Sequence, residues 1–406
     1  MLQPVRGADC YWVRGYRGIY RVPLSAVSAD GHLLAGYQQH LSGLDRAPAG
    51  PSPWYHMTVL ITTKCNLACG YCFQNTEVAA LHPGRAPSRI PAATLRDDST
   101  AAILEFCRRQ MAEREAERLD LMLFGGEPTL RLDQCLRLLS GARRIGLASA
   151  AMISNATRLG PDAAVALERA GLQSVQVTLD GDASVHDSLR TTIGGRGTFF
   201  QILRNLEQSA ARTTLRWILR VNLSAMSIGS ADALVDRLAK RLDPRRFAIG
   251  FSLVLDSGPG FAGTLALSPA LARRVGGLYV RALEAGFGVS LPILAKCAAC
   301  GEFGGATGSV VNADGTLYSC WESAGKQGYE VGTITAGYAS AEVIRPRWVS
   351  CGYGATNGPD AAASGGYRDA VDATILDWLY AAGRLSQRPA PASIPEPASI
   401  PEPAAR

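Results

Sequence analysis

Between Met57 and Ala285 the pattern of apolar and polar positions changes period in a regular alternation. Six short runs are mostly apolar: Met57 to Thr62, Leu119 to Phe124, Ser149 to Ser154, Ser174 to Leu179, Leu215 to Leu223 and Phe247 to Leu255. Their length and their lack of a polar face suit strands buried on both sides. Between them lie stretches with helical spacing: Ser99 to Arg118, Leu130 to Ile145, Pro161 to Ala170, Phe199 to Ala211, Ala231 to Arg241 and Ser268 to Ala285. Ser99 and Ser268 suit N-caps, the second followed by Pro269 at the first helical position. Six strand–helix units predict an α/β domain with a parallel sheet and its functional loops at the carboxyl ends of the strands. Six units fall short of a closed eight-unit barrel.

The flanks follow other rules. Residues 10 to 36 mix aromatic and β-branched residues with Gly turns and predict a hairpin or meander, followed by a breaker-rich linker from Asp45 to Pro53. Gln74 to Asp98 holds three prolines and predicts a surface loop, either lying over a site or a disordered insertion. After Gly288 the alternation stops. A hairpin is expected at Ser309 to Ser319, turning at Asn312 to Gly315, and an amphipathic helix at Tyr367 to Leu385. From Gln387 the chain repeats ASIPEP and is expected to be disordered. These signals divide the chain into 1–55 (hairpin region and linker), 56–288 (the α/β domain), 289–360 (a small cysteine-rich extension), 361–386 (the helix) and 387–406 (the tail).

The 406 residues are 47% hydrophobic, enough for a sizeable core. The formal charge of +6 arises from 41 basic and 35 acidic residues spread along the chain, without a block of like charges. Neither a nucleic-acid nor a membrane partner is indicated. The N-terminus has no apolar signal region and no apolar run reaches the length of a membrane span, so a cytoplasmic location is expected. In a reducing compartment ten cysteines suit metal ligation or burial better than disulfides. Cys10, Cys107 and Cys135 sit in no ligand-like spacing and read as buried thiols.

Cys65, Cys69 and Cys72 are different. They stand in the run Ile61 to Phe73, ITTKCNLACGYCF, directly after the first strand, where a short loop can turn three thiolates toward one soft metal centre. Three thiolates can hold three irons of a four-iron cluster and leave the fourth open to a ligand; three unrelated buried thiols are the bland alternative. The spacing, with Tyr71 before the third cysteine, resembles the radical S-adenosylmethionine (radical SAM) superfamily. The resemblance implies a partial (β/α)6 TIM-like barrel and a SAM-binding [4Fe-4S] cluster. In that family the open iron chelates the amino and carboxylate groups of SAM, which is reductively cleaved to a 5'-deoxyadenosyl radical.

The later motifs agree. Gly125, Gly126 and Glu127 follow the second strand as FGGEP; glycines admit close backbone approach, and the resemblance implies contact with the SAM amino group. Ser154 and Asn155 end the third strand, where the family contacts SAM through small polar groups. Thr178, Asp180, His186, Asp187 and Arg190 resemble the S-x-D-G…H-D-x-x-R pattern of peptide-modifying and sulfatase-maturing members, with Thr in place of Ser. Asp180 also suits a turn cap, and Arg190 either pairs with a SAM carboxylate or braces the loop with Asp187. Arg220 and Asn222 on the fifth strand face the same end, and His186 reads as a structural hydrogen-bonder.

A second set, Cys297, Cys300, Cys320 and Cys351, resembles the opening of a SPASM or shorter twitch extension, without the dense cysteine run of a full SPASM domain. It implies one auxiliary [4Fe-4S] cluster with four protein thiolates; a zinc site suits the same residues. The leading expectation is a radical SAM oxidoreductase of the peptide-maturase type, active in RiPP biosynthesis. It would act on a ribosomally made precursor peptide to form a crosslink or an oxidised residue, with flavodoxin or ferredoxin as reductant. Dehydrogenation or epimerisation of a small metabolite such as an aminosugar is the alternative, then sulfatase maturation. A non-catalytic iron–sulfur or zinc module has no use for the GGEP and strand-end motifs.

Overall fold

The structure is a computed structural model that describes residues 2–15, 18–45, 52–76, 88–256, 260–290, 302–349 and 361–385. Its strands are β1 (Gln3–Arg6), β2 (Tyr11–Arg14), β3 (Ile19–Val22), β4 (Trp54–Thr62), β5 (Arg118–Gly125), β6 (Leu147–Ser154), β7 (Ser174–Leu179), β8 (Arg216–Leu223), β9 (Phe247–Leu253), β10 (Gly308–Val311), β11 (Thr316–Tyr318), β12 (Gly332–Thr333) and β13 (Gly337–Tyr338). The helices are α1 (Ala35–Leu44), α2 (Asp97–Glu113), α3 (Leu132–Arg143), α4 (Pro161–Ala170), α5 (Ala183–Leu189), α6 (Phe199–Arg212), α7 (Ala231–Arg241), α8 (Pro269–Glu284), α9 (Ala341–Ile344) and α10 (Ala361–Ala381).

Strands β4 to β9 pair in parallel in chain order, giving the expected α/β partial barrel with six parallel strands. The sheet does not close. Beyond β4 it continues through β10, parallel to β4, and then through antiparallel β11, β12 and β13. The hairpin at Ser309 to Ser319 is therefore present, and it extends the main sheet. Tyr55 Oη and Ser309 Oγ, both buried, lie 2.6 Å apart, and Ser309 Oγ is 2.7 Å from the half-buried Tyr338 Oη, so three hydroxyls bind β4, β10 and β13 together.

The helices pack by the faces their spacing dictates. In α6 the buried side chains are Phe199, Ile202, Leu203, Leu206, Ser209 and Ala210, and in α7 Ala231, Leu234, Val235 and Leu238. Ser268 caps α8 by accepting from Leu271 N at 3.1 Å. Ser99 does not cap α2. The helix starts two residues earlier, and Asp98 accepts from Ser99 N at 2.7 Å.

Other expectations need correction. The N-terminal sheet begins upstream of residue 10, with β1, and a helix that its pattern did not announce, α1, follows it. In α1 only Tyr37 and Leu41 are buried, too few to mark a helical period. The loop from Gln74 to Asp98 is not all at the surface. Its return limb pairs with the end of β4, with Leu95 N donating to Ile61 O and Thr63 N to Ala93 O, and Ile90 and Leu95 are buried. Helix α10 is not amphipathic in the ordinary sense, because it is sandwiched. Val371, Ile375 and Leu379 join the main core, while Ala373 and Leu376 pack with Val5 and Trp12 of the N-terminal sheet. Arg14 pairs with Asp369 and Asp372, and Trp12 Nε1 donates to Asp377 at 2.7 Å, tying that sheet to α10. Cys10, Cys107 and Cys135 are buried thiols, and burial raises Cys10 to about 11 and Cys107 to about 12. Among the described residues no helix is long and apolar enough to cross a membrane.

Candidate cluster and cofactor site

The loop after β4 carries Cys65, Cys69 and Cys72 and is held on both flanks by backbone hydrogen bonds. On one side Gly126 N donates to Thr62 O (2.7 Å) and Glu127 N to Lys64 O (3.0 Å). On the other, Ala68 N donates to Thr191 O (2.9 Å) and Ile193 N to Asn66 O (3.1 Å). A Cβ on Gly125, whose φ is +127°, would sit 2.3 Å from Thr62 O, and one on Gly126 2.2 Å from Lys64 O. The two glycines are thus required by the approach of backbone to backbone, where the sequence pointed to a ligand.

The thiols meet hydrogen-bond donors and one another's charge. Cys65 Sγ accepts from Leu67 N at 3.4 Å and Asn155 Nδ2 at 3.7 Å, and Cys72 Sγ from Arg89 Nη1 at 3.6 Å. Burial pushes the Cys69 thiol up to about 12 and raises Cys65 as well. Such thiols ionise when iron takes the place of the proton. The all-sulfur donor set with N–H groups aimed at it fits an iron–sulfur cluster. Among the described residues no three His, Cys, Asp or Glu side chains converge on a single ion. A four-iron cluster would be held by Cys65, Cys69 and Cys72 without their converging on a single ion.

Glu127 is fully buried and lies behind the cavity wall. Its Oε1 accepts from Thr129 N (3.0 Å), Thr129 Oγ1 (2.6 Å) and Ser154 Oγ (2.8 Å), and its Oε2 from Asn155 N (2.6 Å). Burial raises its carboxyl above the usual range, and the four donors oppose that shift. The carboxylate therefore locks the end of β5 to the end of β6. Asn155 carries the lock onward through Nδ2 to Asn66 Oδ1 at 3.0 Å. Ala156, next in the chain, holds a positive φ of 58°.

Tyr71 sits in a second network. Its hydroxyl donates to Asp180 Oδ2 and accepts from Arg190 Nη1 (2.8 Å) and Asn222 Nδ2 (3.3 Å), and Arg220 Nε donates to Asn222 Oδ1 (3.0 Å). Asp180 is consequently a partner of the cysteine loop; the turn is capped by Asp182, which accepts from Val185 N. Arg190 does not brace Asp187. That carboxylate accepts from Thr198 N (2.7 Å) and Phe199 N (2.9 Å) at the start of α6. His186 is buried and structural. Asp180 N donates to Nδ1, which places the proton on Nε2 facing Thr198 Oγ1 at 3.1 Å, and burial holds the ring well below its ordinary value.

One cavity of about 400 Å³ joins these parts. Cys65, Cys69, Cys72, Tyr71, Gly125, Gly126, Ser154, Asn155, Thr178 and Arg190 line it, with Arg89, Arg220 and Asn222. Trp321 and Glu322 line it from the extension, one and two residues after Cys320. Trp321 packs on Phe124 (5.4 Å between ring centres), and Phe124 stacks on Phe73 (6.0 Å, 2° between planes). The sequence motifs pointed to neither Arg89 nor Trp321. Adjacency to Cys320 was the signal available for Trp321, and for Arg89 it was its place in the long loop from Gln74 to Asp98, one reading of which put it over a site. Cys320 is buried, while Cys297, Cys300 and Cys351 lie outside the described residues.

The sequence profile of the Radical SAM superfamily matches residues 59–219, so the chain carries a radical SAM domain, which implies SAM and a SAM-binding [4Fe-4S] cluster. Mycofactocin maturase MftC of Mycobacterium ulcerans (strain Agy99) is 28% identical over 194 residues, 46% of this chain and 45% of its own length. GTP 3',8-cyclase of Synechococcus sp. (strain CC9902) is 29% identical over 192 residues, 44% of this chain and 50% of its own. The chain thus spans half or less of these relatives. Two solved structures share the fold. Histidine-tagged anSMEcpe with bound AdoMet gives a TM-score of 0.59 at 16% identity, over 83% of this chain and 96% of that one. Native anSMEcpe with bound AdoMet and Kp18Cys peptide gives 0.57 at 17%, over 82% and 100%.

Proposed function

We propose that this protein is a radical SAM peptide maturase, which forms a crosslink or an oxidised residue in a ribosomally made precursor peptide. The observation that carries the reading is the shared cavity, in which the cysteine triplet and the polar ends of β5 to β8 face one space. When bound, the cluster and SAM supply a 5'-deoxyadenosyl radical that removes a hydrogen atom from an unactivated C–H bond. The chain's own part is to hold, orient and exclude water. Cys65, Cys69 and Cys72 hold iron. Tyr71, Gly125, Gly126, Ser154, Asn155, Thr178 and Arg190 form the SAM-facing wall, with Glu127 and Asp180 fixing them from behind. Trp321 and Glu322 line the cavity, which makes the chain just after Cys320 part of the substrate mouth. Cys297, Cys300, Cys320 and Cys351 are the proposed ligands of an auxiliary cluster. The proposed setting is cytoplasmic, with a flavodoxin or ferredoxin as reductant.

The peptide reading is supported by the likeness to mycofactocin maturase and to a fold solved with a peptide bound. The match to GTP 3',8-cyclases supports the alternative, a small-molecule substrate. Anaerobic reconstitution should load about eight irons, two clusters of four, and about four in a variant with Cys65, Cys69 and Cys72 all replaced by Ala. Only the wild type should release 5'-deoxyadenosine. Short peptides encoded beside the gene should then lose hydrogen mass in step with SAM consumption. Turnover coupled to a nucleotide or sugar, and never to a peptide, would replace the substrate class.

A further inference from the structure

We propose that Arg89 sets the reduction potential of the cluster held by Cys65, Cys69 and Cys72, by donating a charged hydrogen bond to the Cys72 thiolate. The inference rests on the reading of these cysteines as iron ligands. Arg89 lies 17 residues beyond Cys72 and is returned to it by a fixed limb of chain. Residues 75 and 89 form a β-bridge, Ile90 N donates to Gln74 O at 3.0 Å, and Ala93 N donates to Thr63 Oγ1 at 2.8 Å.

The guanidinium is aimed at sulfur. Nη1 donates to Cys72 Sγ at 3.6 Å, while Nη2 donates to Thr63 O (3.4 Å) and Gln74 Oε1 (2.5 Å). Those two acceptors are neutral and orient the plane without cancelling its charge. Nε is buried without a hydrogen-bond partner. Cys65 differs in that its donors, Leu67 N and Asn155 Nδ2, are neutral. Arg190, a second cation near the thiols, is engaged by Tyr71, whose hydroxyl also donates to Asp180.

Reduction adds one electron, taken from an external donor, to a cluster that already carries negative thiolates. A half-buried cation and its N–H on one sulfur favour the more negative state, and hydrogen bonds to sulfur together with local charge are what tune such centres. Arg89 therefore makes the cluster easier to reduce. It is a positioning and tuning residue rather than a catalytic one.

The test is an EPR-monitored redox titration of anaerobically reconstituted wild type, Arg89→Met, Arg89→Gln and Arg89→Lys, each without SAM, with iron counted first. Arg89→Met and Arg89→Gln should hold the cluster but be at least about tenfold less reduced at a given applied potential, a shift of about 59 mV for a one-electron couple. Arg89→Lys should recover part of the difference. Should Arg89→Met fail to load iron, Arg89→Gln keeps a hydrogen-bond donor without the charge and decides the matter. Loaded variants with the wild-type potential would overturn the role of Arg89 alone, as would an unmoved SAM-free potential beside weakened SAM binding. A wild type that takes up no four-iron cluster would overturn the iron-ligand reading and this inference with it.

Discussion

Replacing Glu127 by Gln separates two roles that the same residue could fill: scaffold and ligand. In the structure all four donors to the carboxylate come from the protein, at 2.6 to 3.0 Å. A carboxamide has one acceptor oxygen. If that oxygen keeps Thr129 and Ser154, the amide nitrogen faces Asn155 N, donor against donor. The loss of one hydrogen bond to a charged group costs about 1.5–3 kcal/mol, and a buried N–H without an acceptor about 1–3 kcal/mol. Removal of a buried charge offsets part of this, consistent with the raised carboxyl. The net expectation is a loss of about 2–4 kcal/mol in the apo-protein. Urea unfolding should show a lower midpoint at unchanged slope. Apo stability within about 0.5 kcal/mol of wild type, with SAM binding sharply weakened, would refute the scaffold reasoning and return Glu127 to the ligand role.

Three further expectations follow from the same contacts. Gly126→Ala puts a Cβ 2.2 Å from Lys64 O, a backbone atom that cannot swing aside, so it should cost at least about 1–3 kcal/mol and lower iron retention, read by unfolding and iron assay. Tyr71→Phe removes the donor to buried Asp180 and the acceptor for Arg190, and should cost about 2 kcal/mol while the iron content is kept. Asp372 is raised by burial from 3.8 to about 6. Because the folded state binds this proton more tightly, stability from this group is full below pH ~4 and lost as pH rises through ~6. Asp372→Asn should remove up to about 3 kcal/mol of that slope; an unchanged slope between pH 4 and 7 would refute it.

The order of the parallel strands and the helices that cover them was legible because each depends on neighbours in sequence. Strands buried on both faces must be apolar throughout, and helices over a sheet must repeat every three to four residues. The cysteine triplet is local in the same sense, spanning eight residues, and Ser268 caps a helix three residues away. Helix α5 was hidden because its seven residues are too few to show a helical period, and it holds His186 and Asp187 and ends just before Arg190.

What the tertiary structure decided are pairings between distant residues, which no local period encodes. Strand β10 could have stood apart, yet it pairs in parallel with β4, where Tyr55 and Ser309, 254 positions apart, share a buried hydrogen bond. Sequence marked Gly125 and Gly126 as points of close approach, but only the fold shows that the approaching group is the backbone of residues 62 to 64. Asp180 had an ordinary turn to cap until the sheet brought Tyr71 against it. Arg89 and Trp321 reach the cluster loop and the cavity only after a loop has returned and an extension has docked. The sequence by itself determined the parallel strands and most of the helices that cover them, and it marked the candidate residues of the site. Packing of the folded chain determined which of those residues face the cavity and which hold it open from behind.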